Sequence, residues 1–185
     1  MYRRPFALAA LVLLGSIALT PALALAQGSG GQVAEPQSQA SSLSQFLQSQ
    51  GHSLSPEETA FFDADEAIQN TYMQDIVAIA LLARTDPDAR TDDWRQSVGN
   101  ALLLLINTDP AAAPPAPAGL QRLRDLAVSQ RRHYQAAARL WLEAFQAGDP
   151  NWIDRGDEER QAGLRDLYSW QEELVTRYPL TASQR

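Results

Sequence analysis

From Phe61 to Tyr178 the apolar residues of this chain recur at intervals of three, four and seven positions. That is the repeat of an α-helix burying one side. No segment alternates apolar and polar strand-forming residues. The two observations together imply an all-α protein, a bundle of about four amphipathic helices.

The limits of those helices are written in the polar residues around them. Ser55 and Glu58 have the spacing of a capping box, with Pro56 at the favoured first position. Phe61, Ile68, Tyr72, Ile76, Ile79 and Ala83 follow as one stripe, and the helix should stop near Arg84, ahead of Asp86-Pro87. Thr91 caps a second helix, and Asp92 and Asp93 complement its dipole. Its inner face is Trp94, Val98, Ala101, Leu102 and Leu105. A third helix is expected over 120–147, with Leu123, Ala127, Tyr134, Ala137, Trp141 and Phe145 inward and Gly148 closing it. A fourth is expected over 157–178, with Leu164, Leu167, Leu174 and Tyr178 inward and Pro179 beyond its end.

Between the second and third helices lies a different kind of segment. Asn107 to Gly119 holds Pro110, Pro114, Pro115 and Pro117 among alanines. Proline fixes φ and removes donors, so this stretch reads as a semi-rigid extended linker. About ten residues at roughly 3.1 Å each can run most of the length of a bundle. The linker is therefore expected to be a crossover rather than a tight turn.

The N-terminal part reads as an export signal. Arg3 and Arg4 precede an apolar run from Phe6 to Leu19, Pro21 breaks it, and Ala24-Leu25-Ala26 is a small-x-small cleavage site before Gln27. Arg3-Arg4-Pro5-Phe6 also resembles the twin-arginine export motif. However, all 15 basic residues of the chain are arginine, so any positive leader must use it, and general secretion is the expected route. The resulting organisation is a signal peptide over 1–26, a tether over 27–53, a helical bundle over 54–178 and a tail over 179–185. The tether is Gly-, Ser- and Gln-rich up to Ser42 and expected to be disordered there. Leu43, Phe46 and Leu47 then allow one short helix that docks on the body. The expected location is periplasmic or extracellular, with no integral membrane span after cleavage.

Charge and cysteine content narrow the chemistry. Net charge is −7 over the whole chain, and without Arg3 and Arg4 it becomes −9, 13 arginines against 22 acidic residues. That balance disfavours nucleic acid and anionic membranes as partners. With no cysteine there is no thiol nucleophile, thiolate zinc site or covalently attached haem. Glu-x-x-His, Gly-x-Ser-x-Gly, phosphate-loop and dinucleotide patterns are missing too.

What remains are weaker constellations. Met73 and His133 lie mid-way along the first and third helices, as the axial ligands of a non-covalent haem would. Each stands off its apolar stripe, and Arg131-Arg132 beside His133 suggests a solvated flank. Asp86, Asp88, Asp92 and Asp93 before the second helix, and Asp149, Asn151, Asp154 and Asp157 before the fourth, offer oxygens to calcium. Their spacing is not that of a calcium-binding EF-hand, and helix caps and turns account for them. Glu58, Asp63, Asp65 and Glu66 read as a solvated helix face. Trp152, in the loop before the fourth helix, reads as a staple onto the body or an anchor for a partner. No cofactor is expected.

The most unusual feature is Leu102-Leu103-Leu104-Leu105-Ile106. Successive residues turn by about 100°, so the five side chains cannot all enter one core. The linker, the Leu43–Leu47 segment or a second protein chain must cover the rest, with cover from within the chain the first expectation. The sequence thus points to a non-catalytic binding or interaction module, with Leu103, Leu104, Ile106 and Trp152 as contact candidates and a homodimer as the simplest assembly. A cofactor or metal carrier, and an enzyme whose site is assembled from distant residues, are the alternatives.

Overall fold

The computed structural model describes residues 42–180. The expected signal peptide over 1–26, the part of the expected tether up to Ser41 and the last five residues lie outside them. Among the described residues there are five helices, one of them short, and no strand. They are α1 (Leu43–Ser49), α2 (Pro56–Ala83), α3 (Asp92–Asn107), α4 (Gln121–Gln146) and α5 (Asp157–Arg177). No helix among them is long and apolar enough to cross a membrane.

The capping chemistry places the ends. Ser55 Oγ accepts from the Glu58 amide at 3.1 Å, and the Glu58 carboxylate accepts from the Ser55 amide at 2.8 Å. These two reciprocal bonds satisfy donors that the first turn of α2 leaves free. Thr91 Oγ1 accepts from the Trp94 amide and caps α3. Gly148 closes α4 with φ +75°, while the Asp149 amide reaches back to the Ala144 carbonyl. Only a residue without Cβ takes that conformation cheaply.

Successive helices pack on one another: α2 on α3, α3 on α4, and α4 most extensively on α5. α4 is the central helix, with Leu123, Ala127, Tyr134, Ala137 and Trp141 all buried along it. α5 lies close on α4 because Gly163 faces the Tyr134 ring, where a Cβ would come within 2.7 Å of it. Two apolar clusters form the core. One unites Ile79, Val98, Leu102, Leu105, Trp141 and Trp152. The other, at the opposite end, unites Leu47 of α1, Phe61 and Phe62 of α2, Leu120 and Leu123, and Leu174 and Tyr178.

α1 is part of this second cluster. Leu47 is buried, the Leu43 amide donates to Glu66 at 2.8 Å, and the Ser44 hydroxyl donates to Asp63. Its closing residue, Gly51, has φ +89°.

The linker completes the second position of the bundle. α3 has 16 residues against 26 in α4, so it stops partway along its neighbour. The chain then continues in the same direction, from Thr108 beside Tyr72 to Leu120 in the second cluster. It covers the remainder of the bundle's length rather than most of it, and it is broken by turns.

Candidate functional site

Between the two apolar clusters lies a buried polar group of residues that α2, α4 and the linker share. Arg131 of α4 is 0% exposed. Its Nη2 donates to the Asp65 carboxylate at 2.6 Å and to the Asp65 carbonyl at 3.0 Å. Nη1 reaches the Pro110 carbonyl at 3.4 Å. One turn further along α4, Gln135 Nε2 donates to the carbonyls of Ile106 and Thr108. Tyr72 of α2 donates its hydroxyl to the Thr108 carbonyl at 2.8 Å.

This arrangement solves a local problem. The last carbonyls of a helix have no partner within it, and a proline-rich continuation has few amides with which to make turns. Side chains from two other helices act as the cap. The group is therefore a clasp that fixes where α3 ends and where the linker runs.

Sequence reasoning missed it in two places. Arg131 is not part of a solvated flank, because Asp65 and the Pro110 carbonyl of the linker close over it. Nor do Glu58, Asp63, Asp65 and Glu66 of α2 form a uniformly solvated face: Asp65 is buried, Glu58 and Glu66 are half-buried, and only Asp63 is exposed among the four. Asp65 pairs with Arg131, Asp63 and Glu66 hold α1, and Glu58 caps α2 and accepts from the Tyr178 hydroxyl at 3.0 Å. The signal was present. Asp65 stands four residues after Phe61 and three before Ile68, and Arg131 four after Ala127 and three before Tyr134. Each charge occupies an apolar stripe on its own helix.

Burial governs how these groups titrate. It pushes the Asp65 carboxyl up, against the opposing pull of Arg131. It also pushes Tyr72 up to about 12, and Tyr178 up to about 12, the latter helped by its hydrogen bond to Glu58. Raised tyrosine values mean that the folded state holds those protons more tightly than the unfolded chain does. The stability they contribute is complete below the ordinary tyrosine value near 10 and is lost as pH rises through about 12. Spectrophotometric titration should show these tyrosines ionising late, together with alkaline unfolding. Tyr72→Phe should weaken the fold at neutral pH by about 1 kcal/mol and make the alkaline transition shallower.

The other sequence-predicted residues fall as follows. His133 lies between α4 and α5, with Nδ1 2.6 Å from Glu159 and Nε2 3.8 Å from Asp166. Met73 packs on the first apolar cluster. Both His133 nitrogens face α5 carboxylates, so the structure does not bring His133 and Met73 together as a haem would require.

The acidic residues do not converge on a cation. Asp86 accepts from the Asp88 amide, Asp92 is fully exposed, and Asp149 accepts from Asn151 and pairs with Arg155 at 2.7 Å. Asp154 is exposed. Among the described residues no three histidine or acidic side chains are grouped as metal ligands. Trp152 is the staple: it is buried, edge-to-face with Phe145, in a 3-10 turn over Trp152–Gly156.

The leucine run divides. Leu102 and Leu105 are wholly buried, Ile106 packs partly on the core, but Leu103 and Leu104 are 46% and 56% exposed. No described residue supplies the expected cover. The linker continues away along the bundle, and α1 packs at the far end, against α2. The neighbouring helix α2 also exposes Val77 and Leu81, one turn apart.

No family model matches the chain, and no curated protein or solved structure matches it either.

Proposed function

We propose that this protein is an exported, non-catalytic interaction module that associates with a second copy of itself through the outer side of α3. The observation that carries the reading is the exposure of Leu103 and Leu104 on a helix whose other leucines are fully buried. Adjacent large apolar side chains left in water mark contact surfaces more often than single ones do. The export part rests on the Arg3-Arg4 leader, the apolar run and the Ala24-Leu25-Ala26 site, with Gln27 as the first residue of the mature chain.

Leu104→Glu tests the contact. An exposed position should tolerate the charge within about 0.5 kcal/mol, so the melting temperature should hold while association is lost. Leu105→Glu is the contrasting variant. It buries a charge with no partner and should fail to fold. A Leu104→Glu protein that associates as the parent does contradicts the proposed contact.

A further inference from the structure

At the end of the bundle where α3 begins and α4 stops, three aromatic rings line a cleft of about 530 Å³. Trp94 and Phe145 meet edge to face at 5.6 Å, and Phe145 and Trp152 at 5.4 Å. The rings form a braced wall rather than three separate side chains. The indole N–H of Trp94 is already given to the Leu82 carbonyl at 2.9 Å. The cleft is an open depression in which Trp94 and Phe145 are partly exposed and Trp152 is buried beside them, so a guest would lie against the wall with one side in water.

The charges at the rim indicate the sign of the guest. Arg90 lies over the Trp94 ring at 5.0 Å and spends its Nε on the Thr85 carbonyl. Asp149 is committed to Arg155 and to the Asn151 amide. Arg95 is different. Its side chain is 69% exposed, and its nearest carboxylate, Asp92, is fully exposed and 3.9 Å away. Such a pair contributes little and gives way readily to a better acceptor. The least committed charged group lining the cleft is therefore a guanidinium beside an aromatic wall.

We propose that this cleft binds a small aromatic anion, an aryl carboxylate or sulfonate. Its rings lie against Trp94 and Phe145, and its acid group accepts hydrogen bonds from Arg95. This site is separate from the α3 contact surface and stands or falls independently of it.

The probe is 8-anilino-1-naphthalenesulfonate, with N-phenyl-1-naphthylamine as its uncharged counterpart, followed by probe emission and tryptophan quenching. The sulfonate should saturate at one per chain and bind more tightly than the neutral amine. Arg95→Ser should weaken the sulfonate about tenfold, as expected for losing hydrogen bonds from a charged donor, and leave the amine unchanged. Equal binding of the two probes, indifference of the sulfonate to Arg95→Ser, or no saturable binding would each overturn the proposal. So would loss of binding in Leu104→Glu, which would place the dye on the outer face of α3. The melting temperature of Arg95→Ser should equal the parent's, since the side chain is exposed. A fall in melting temperature would assign Arg95 a structural role and count against the site.

Discussion

Replacing Asp65 with alanine should cost the fold about 3–5 kcal/mol, the usual penalty for removing one partner of a buried ion pair. The reason lies in what is left behind. Arg131 is completely buried, and its guanidinium would face the chain's interior with only carbonyl acceptors. Arginine does not escape by losing its proton. The clasp would slacken at the same time, because Arg131 also holds the linker at Pro110. A loss of that size corresponds to a fall of roughly 10–15 °C in melting temperature for a domain near this length. Asp65→Leu with Arg131→Met should recover much of the loss, since replacing both partners with apolar groups is often neutral or better. Urea unfolding followed by circular dichroism measures all three proteins. A stable Asp65→Ala protein would mean that Arg131 reaches solvent and that the clasp is not closed.

Trp141→Ala is expected to be the second large loss, about 3–5 kcal/mol. Trp141 is the largest wholly buried side chain, and it belongs to the cluster that joins α2, α3 and α4. Its indole edge also sits against Gly156, where a Cβ would collide with Nε1. The ring therefore supports the 3-10 turn that leads into α5 and, through Trp152, the aromatic wall of the cleft. Removing it leaves a cavity that neighbours on four elements cannot fill together. The unfolding midpoint should drop while the denaturant slope holds, as expected for a change in stability rather than in the extent of unfolding. Trp141→Phe should cost visibly less, because most of the apolar volume stays. Equal effects from Phe and Ala would mean that the indole edge, rather than packing volume, carries the contribution.

How much of this was legible beforehand differs by layer. Local signals located the helices closely. The capping box at Ser55, the Thr91 cap and the Gly148 terminator stand where the residue types place them, because each acts within a few residues of itself. The clasp was not read, because its partners are 66 residues apart in the chain and judged by their neighbours alone look solvated. Arg132 beside Arg131 does face solvent, so the pair looks solvated from the sequence around it. Position on the apolar stripe was the better guide. The leucine run was half legible. Helical geometry demands that not all five side chains enter one core, but it does not say which element turns away. α3 stops partway along α4, and the linker continues along the bundle instead of folding back over α3, which leaves Leu103 and Leu104 exposed.

The most direct test of the proposed association is sedimentation equilibrium on the chain from Gln27, over a wide range of concentration. The mass should rise from monomer to dimer for the parent and stay monomeric for Leu104→Glu. A parent protein that remains monomeric across the whole range would contradict it.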